Sequence, residues 1–412
     1  VRDIPIGAVR VAGVHADPDQ LSHAGFGGQV LVELPDARRL PGRQTRLGGR
    51  GTGPGLGPSG EGRDDEATGG EQALTHASTI ASHDERSRTR RVPRLRGLTI
   101  DAFPCSSCDP RRRYLRAVTC VGGNAPLADV VRNTLTVLTT AGRDDVPVAA
   151  GADRPLLEDP VDARHVHGQD GMGDLDWPVA ARAGDDRHAV ELLRDHLLAA
   201  AATGERVTLI PLAPLTNIAL LLRTYPAVAQ GIERILFMGG AAAVGNATAS
   251  AEFNIFHDPE AAAIVFDSCA DLGITLGMYG LDVFYEPRIT RAQAAELIAA
   301  DPQGPAGLAG RLVTFQCDRF GGESATIGDA GAVAAVIAPD SLTTSKLPAR
   351  VELTGRYTRG RTIVDHRDWS GDLTHDPHGQ SDVIVDVALA VDNARLSTLW
   401  LETMRESARE KV

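Results

Sequence analysis

The sequence predicts an α/β fold, an open and mostly parallel sheet with helices on both faces. From residue 114 onward, short apolar runs alternate with stretches that have helical spacing, which is the pattern of a parallel sheet built from strand–helix–strand units. The strand runs are apolar at successive positions, as expected for strands covered on both faces. Glycines end several of the runs and mark turns or helix stops.

The elements follow one another in a regular order. YLRAVTCVGGN (114–124) predicts a strand that ends in a glycine turn, and residues 125–142 predict a helix with a glycine stop. Further strands are predicted at 145–151, 206–214, 232–240, 273–283 and 381–392, and a hairpin at 349–367. Further helices are predicted at 187–201, 215–226, 258–268 and 393–410, the last capped by Asp392 or Asn393, and the stretch 327–344 contains another before it runs into the hairpin.

The first part of the chain has a different character. Residues 41–70 contain 11 glycines, and residues 84–96 form an arginine cluster without an apolar face. Such composition does not bury enough apolar surface to offset chain entropy. We therefore interpret residues 1–95 as a disordered or aberrant extension and residues 96–412 as the folded domain, with the hypothesis that residues 1–113 are partly a wrong-frame translation or that the gene is decayed. GGQVLVELP (27–35) alone predicts an isolated strand there, and an RNA-binding arginine tail is the functional alternative for residues 84–96.

Composition excludes several classes of function. The net charge of −12 argues against a general nucleic-acid binder, which needs a basic surface. No run approaches the roughly 20 apolar residues of a membrane span, and no apolar signal-peptide core opens the sequence, so we expect a cytoplasmic protein without a membrane partner. The five cysteines are scattered, and the lone Cys105-x-x-Cys108 pair indicates incidental thiols rather than a zinc or redox site.

Ligands of such sheets bind beyond the carboxyl ends of the strands. This rule directs attention to the loops at 122–124, 212–216 and 238–254, and to the segment around Asp329. The stretch AEFNIFHDPEAA (251–262) places Glu252 and Asn254 two residues apart, ahead of a helix opened by Asp258 and Pro259. On an extended segment these two side chains would share one side, which predicts a pocket wall that grips hydroxyl groups.

Several of these stretches resemble one enzyme family in the same order along the chain. AVTCVGGN, HVHGQDGMG, TLIPLAPLTNIALLLRTYP, RILFMGGAAAVGNATASAEFNIFHDPEAAAIVF and LPARVELTGRYTRGRTIVD resemble the inosine-uridine-preferring nucleoside hydrolases, over roughly residues 114–405. The resemblance implies the nucleoside hydrolase fold. It also implies hydrolysis of the N-glycosidic bond of ribonucleosides, a calcium ion at the bottom of the pocket, and a homodimer or homotetramer.

The resemblance also implies roles for individual residues. Ribose-binding positions fall on Asn246, Glu252 and Asn254, and a further sugar-contacting position falls on Asn124. Pocket-lining positions fall on Met238 and Phe253. Leu212 stands where the family contributes a backbone carbonyl to calcium, and the loop at 167–171 lies near the active site. For His167 in this loop a structural role is the preferred interpretation and a catalytic role is the alternative.

The last calcium ligand of the family is an aspartate that opens a helix, and three places in this chain offer one. His257-Asp258-Pro259 and His375-Asp376-Pro377 carry the expected motif, but only the stretch after Asp329 continues into the family's helix and hairpin. We therefore assign this metal- and substrate-binding position to Asp329. Gly328 precedes it, whereas a subset of the family has a histidine there that assists the leaving group.

The front of the family's site is missing from the sequence. The family's first strand carries an aspartate-rich D-x-D-x-G-x-D-D fingerprint, and the nearest stretch here is GLTIDAF (97–103). Asp101 is the candidate for its final aspartate and a metal ligand, while no residue is found for the general base. Two functions follow, an active nucleoside hydrolase or an impaired ribose-binding relative. A dinucleotide-binding dehydrogenase is disfavoured because no G-x-G-x-x-G follows a first strand.

Overall fold

The structure is a computed structural model and describes residues 28–33, 114–368 and 374–409. Its strands are β1 (Gly28–Glu33), β2 (Tyr114–Cys120), β3 (Val148–Ala150), β4 (Val207–Pro211), β5 (Ile232–Met238), β6 (Thr275–Tyr279), β7 (Arg288–Thr290), β8 (Ser324–Thr326), β9 (Leu342–Val351), β10 (Thr362–Val364) and β11 (Ile384–Val391). Its α-helices are α1 (Leu127–Thr140), α2 (Arg164–His167), α3 (Ala189–Thr203), α4 (Thr216–Thr224), α5 (Phe253–His257), α6 (Pro259–Leu272), α7 (Leu281–Phe284), α8 (Arg291–Ala300), α9 (Pro305–Phe320), α10 (Asp329–Ile337) and α11 (Asn393–Arg409).

A 9-stranded sheet forms the centre of the fold, with the order β10-β9-β11-β6-β5-β4-β1-β2-β3. The pairs β2–β3, β4–β5, β5–β6 and β6–β11 are parallel. Strand β1 is antiparallel to β2 and to β4, and β9 is antiparallel to β11 and to β10. All strands of this sheet except β1 and β9 therefore run in the same direction, which confirms the predicted α/β class with a mostly parallel sheet. Strands β7 and β8 form a separate two-stranded sheet.

Helices cover both faces of the sheet, as the continuous apolar strands predict. In β5, Ile235 and Phe237 belong to one buried cluster, which includes side chains of α3, α4 and α6. Leu236 and Met238 belong to another, which includes side chains of α8 to α11. Because successive side chains of a strand point to opposite faces, these two clusters are the two layers on either side of the sheet.

The predicted strand at 27–35 is the element whose surroundings differ most from expectation. Residues Gly28–Glu33 form a strand, but it lies within the sheet between β2 and β4 rather than alone. It runs against them, so that Gly28 pairs with Cys120 and Glu33 pairs with Tyr114. The rest of the 1–95 extension, the candidate Asp101, and Cys105 and Cys108 lie outside the described residues.

Two further boundaries differ from the sequence-based prediction. The strand predicted at 273–283 ends at Tyr279, and the short helix α7 follows, because the amide of Leu281 bonds the carbonyl of Gly240 (3.0 Å) and turns the chain. Asn254, predicted in an extended segment, lies within α5. The final helix has Asp392 as its cap, since Asp392 Oδ1 accepts the amide of Arg395 (3.0 Å).

Candidate active site

A pocket opens at the carboxyl ends of β2, β4 and β5, where the sheet rule places ligands. Its cavity measures about 180 Å³. Every predicted site residue that the structure describes lines it: Asn124, Leu212, Met238, Asn246, Glu252, Phe253, Asn254 and Asp329. The loops after β2, β4 and β5 and the start of α10 therefore converge on one cavity, although they are far apart in the sequence.

Glu252 is the N-cap of α5, and this role explains why the segment is helical rather than extended. Glu252 Oε1 accepts the amide of Asn254 (2.9 Å), and Oε2 accepts the amides of Ile255 (3.1 Å) and Gly240 (2.9 Å). Burial raises the pKa of this carboxyl to about 7, although the amide donors favour its charged form. Both oxygens of Glu252 therefore hold backbone amides of the pocket wall.

Asn254 and Asn246 both hold the pocket wall through side-chain hydrogen bonds. Asn254 Nδ2 donates to the carbonyl oxygen of Met238 (3.1 Å) and approaches its sulfur (3.3 Å). Asn246 Oδ1 accepts the amide of Phe253 (2.9 Å). Among the hydrogen bonds of the described residues none engages Asn254 Oδ1, which leaves this oxygen available to a ligand.

Asp329 opens α10 at the floor of the pocket. The residue is 4% exposed, and its Oδ2 is buried with no hydrogen-bond partner among the described residues. Burial, followed by the nearby charge of Glu252, raises its pKa well above the usual range. A buried carboxylate oxygen without a donor is a position that a cation or a ligand hydroxyl would satisfy. Gly328 before it has φ of 57°, which side-chain-bearing residues rarely adopt.

The aspartates of the two His-Asp-Pro motifs have structural contacts outside the pocket. Asp258 caps α6 through the amide of Ala261 (3.0 Å), and its Oδ2 accepts the hydroxyl of Thr216 (2.6 Å) and the amide of Leu156 (3.0 Å). Asp376 pairs with Arg367 (2.9 Å). Neither lines the pocket, so the geometry favours Asp329 among the three.

Two histidines that look catalytic in the sequence have different surroundings. His167 is buried in the pocket wall, and its structural role stays a prediction. His257 is 3% exposed, and its Nδ1 lies 2.9 Å from the carbonyl oxygen of Val161. Burial lowers the pKa of His257.

Sequence reasoning did not single out several residues that line the pocket. Phe256 and Phe284 line it together with the predicted Phe253, as do residues 161–163, 165 and 166. Phe256 follows Phe253 at helical spacing, a signal that is lost when the segment is interpreted as extended. Phe284 ends α7 after a turn that depends on Gly240, so no local pattern marks it.

The family model described as "Inosine-uridine preferring nucleoside hydrolase" matches residues 106–398. The chain belongs to this family. The protein named "Pyrimidine-specific ribonucleoside hydrolase RihA" from Citrobacter koseri is 37% identical over 257 residues, which is 61% of this chain and 80% of that relative. The one named "Inosine-uridine preferring nucleoside hydrolase" from Crithidia fasciculata is 38% identical over 259 residues, again 61% and 80%.

Solved structures show the same fold. A structure named "Purine-Preferring Ribonucleoside Hydrolase from Gardnerella vaginalis" is 27% identical, with a TM-score of 0.61 over 71% of this chain and 90% of that one. A plant nucleoside hydrolase is also 27% identical, with a TM-score of 0.59 over 70% and 89%. The predicted recognition and nucleoside hydrolase fold are therefore confirmed.

The described residues provide only some of the ligands for the calcium ion that the family resemblance implies. Across residues 114–368 and 374–409, no group of three or more histidine, cysteine, aspartate or glutamate side chains is arranged to hold a metal ion. Calcium takes six to eight oxygen ligands, and the described lining of the pocket offers the unpartnered Oδ2 of Asp329 and the backbone of Leu212. These residues alone do not fit a calcium site, and no step below is derived through the ion.

The strand that borders the pocket between β2 and β4 adds no acid to it. Strand β1 runs antiparallel to its neighbours, so Gly28 lies at the pocket edge of the sheet beside Cys120. Glu33, the one acidic residue of β1, pairs with Tyr114 and Val207 at the opposite edge.

Within the described residues, helices long and apolar enough to cross a membrane are absent.

Proposed function

We propose that this chain hydrolyses the N-glycosidic bond of ribonucleosides and releases free base and ribose. The observation that carries the proposal is the convergence of the predicted ribose-binding side chains on one cavity, whose lining includes carboxyl groups, amide groups and phenylalanines. A ribose presents hydroxyls for the polar groups, and a base presents an apolar face for aromatic side chains. Either a purine or a pyrimidine ribonucleoside meets this description.

Hydrolysis adds water across one bond. The bond between the anomeric carbon and the base nitrogen breaks, the hydroxide part of water joins the anomeric carbon, and the remaining proton goes to the base. The transition state has oxocarbenium character on the ribose, as in glycoside hydrolysis. Asn246, Glu252 and Asn254 are assigned to hold the ribose, because orienting a reactant in a defined pocket lowers the barrier.

The other implied properties stay predictions of this proposal. Calcium is the ion that the resemblance implies, and the unpaired Oδ2 of Asp329 supports a cation near this residue. Asn124 and Met238 are assigned to the substrate, and the backbone of Leu212 to the metal. The domain boundary near residue 95, the cytoplasmic location, and the homodimer or homotetramer belong to the same set, as does a role in nucleoside catabolism.

Base release tests the proposal directly. The purified chain is incubated with inosine and with uridine, with added calcium or with a calcium chelator, and free base is quantified by chromatography. We expect release at about 1 s⁻¹ or faster, the usual lower range for enzymes, and its loss in the chelator. Native chain that binds inosine without releasing hypoxanthine would contradict hydrolysis.

One observation favours the second candidate, an impaired ribose-binding relative. The described residues contain no counterpart of the family's aspartate-rich first strand, because β1 carries one acid, Glu33, which pairs with Tyr114 and Val207, and both oxygens of Glu252 accept backbone amides. Loss of a general base costs about 10²–10⁴ in rate. Under this alternative, calorimetry shows inosine binding while base release stays at the background rate.

A further inference from the structure

Asn246 is carried by a loop whose backbone is held by side chains from three different places. This Asn246 loop comprises residues 239–251, between β5 and α5. Four consecutive amides at its start are each accepted by a side chain: Gly240 by Glu252 Oε2 (2.9 Å), Ala241 by Thr362 Oγ1 (2.8 Å), Ala242 by Asp282 Oδ2 (2.8 Å) and Ala243 by Asp282 Oδ1 (3.1 Å).

Thr362 holds the loop from the β10 side. Its hydroxyl donates to the carbonyl of Ala241 (2.7 Å) while accepting the amide of the same residue, and Thr362 is 1% exposed. The contact is close: Gly240 has φ of 69°, and a Cβ there would lie 2.7 Å from Thr362 Cγ2. The path of the loop away from β5 therefore depends on this threonine.

The far end of the loop is fixed to α5. The amides of Asn246, Ala247 and Thr248 all point to the carbonyl of Ala251 (3.1, 3.1 and 3.2 Å). Asn246 Oδ1 then accepts the amide of Phe253 (2.9 Å). Because the start of the loop is held by Asp282 and Thr362 and its end by α5, the position of Asn246 in the pocket is determined from both directions.

We propose that Asp282 and Thr362 are positioning residues for the reaction, acting through the Asn246 loop. Neither side chain lines the pocket, so neither touches the substrate. The inference rests on the proposed function, because the proposed function assigns Asn246 to binding of the ribose. Ala242 is half-buried and Ala243 is exposed, so water replaces the Asp282 bonds when they are lost, and the loop shifts without unfolding the domain.

A double-mutant cycle tests the role of Asp282. Asp282→Ala is expected to lower kcat/KM for inosine about 100-fold, the loss that a displacement of about 1 Å produces. In an Asn246→Ala background the same change is expected to alter kcat/KM less than about two-fold, because the group that it positions is gone. Asp267→Ala, an exposed aspartate of α6, is the matched control and leaves kcat/KM unchanged. Equal losses from Asp282→Ala in both backgrounds, or no loss in either, overturn the proposal.

Thr362 is tested by restoring its hydroxyl. Thr362→Ser keeps the donor and acceptor and is expected to stay within about three-fold of the native kcat/KM, whereas the isosteric Thr362→Val loses at least about ten-fold. Thr343→Val, at an exposed position of β9, controls for the exchange itself. Equal activity of the serine and valine variants overturns the role of Thr362. If the valine variant does not fold, the Asp282 cycle decides the proposal.

Binding separates this inference from the proposed function. If the native chain releases no base from inosine or uridine, hydrolysis fails, and the same cycle is measured by calorimetry with inosine as the probe. Asp282→Ala is then expected to weaken inosine binding about ten-fold in the native background and not in Asn246→Ala. Unchanged affinity of Asp282→Ala overturns the positioning role, and a native chain that neither binds nor hydrolyses inosine or uridine overturns both proposals.

Discussion

At the scale of single residues, the polar side chains of the pocket divide their atoms between the fold and the ligand. Asn254 donates through Nδ2 to Met238 while its Oδ1 stays available, and Asn246 accepts through Oδ1 from Phe253. Glu252 accepts the amides of Gly240, Asn254 and Ile255 and also lines the pocket. Substitutions here therefore change both stability and binding, and a test must separate the two.

Asn254→Asp tests the effects on stability and on binding, because it removes the Nδ2 donor of Asn254. The change places a carboxylate oxygen opposite the Met238 carbonyl, in a pocket that already holds Glu252 and Asp329. We expect at least about 100-fold lower kcat/KM and a free energy of unfolding lower by about 1–3 kcal/mol, the range for an unsatisfied buried group. Activity assays and urea denaturation measure the two effects. Gln303→Glu, an exposed amide-to-carboxylate change, is the control, and native-like kinetics of Asn254→Asp would show that the amide donor is dispensable.

His257 gives the stability a pH dependence. Burial lowers its pKa from the usual 6.5 in the folded state, so the unfolded chain binds more protons just below pH 6.5. The contribution of His257 is therefore complete above about pH 6.5 and decreases as the pH falls through its folded-state pKa.

Urea denaturation as a function of pH measures this contribution. His257→Asn keeps an N–H to donate to Val161 but does not titrate, so we expect a flatter dependence of the unfolding free energy on pH below 6.5. His378→Asn, at an exposed position, is expected to show the same dependence of the unfolding free energy on pH as the native chain. The same slope in His257→Asn and in the native chain would contradict the assignment.

At the scale of elements, Asp258 joins three segments that are distant in sequence. It caps α6, accepts the Thr216 hydroxyl at the start of α4, and accepts the amide of Leu156 in the segment that leads to the pocket rim. Asp258→Ala removes a helix cap worth about 1 kcal/mol and leaves two further partners unpaired. We expect the free energy of unfolding to fall by about 3 kcal/mol, measured in urea.

Two variants define the limits of this prediction. Asp258→Asn keeps one acceptor oxygen and is expected to lose about half as much stability as the alanine variant. Asp267→Ala, on the exposed face of α6, stays within about 0.5 kcal/mol of the native chain. If Asp258→Ala loses no more than Asp267→Ala, the junction does not support the fold.

Most elements after residue 114 could be predicted from the sequence because each is long enough to show its own period. The helices α1 and α3 and the strands β4 and β5 follow the predicted segments closely. The exceptions include α8 and α9, which the sequence patterns did not indicate, and α5, which has only five residues, too few for a 3.6-residue period to be recognised. Its cap bonds Gly240, 12 positions earlier, and no local pattern contains that contact.

At the scale of the whole molecule, the site predicted from sequence is the half contributed by β4, β5, α5 and α10. Its residues converge because their strands are parallel and neighbouring, which the sheet rule anticipates. The part of the site that the family's first strand would contribute depends on which strand lies between β2 and β4. An isolated apolar run such as 27–35 predicts a strand, but its partners and direction depend on pairing with segments more than 80 residues away along the chain.

The central position of β1 makes a prediction about the whole sheet. Val30 pairs with Val118 on one side and Ile210 on the other, so its amide faces a neighbouring strand rather than solvent. Val30→Pro removes that amide and does not fit the interior of a sheet, so we expect a loss of about 3 kcal/mol or more in the free energy of unfolding. Hydrogen exchange in β2 and β4 is expected to accelerate in parallel, because their ladders on this side are interrupted. Val30→Thr keeps the amide and a β-branched side chain and is expected to stay within about 1 kcal/mol of the native chain. Equal stability of the proline and threonine variants would show that the sheet holds together without β1, and that the space between β2 and β4 is open to another strand.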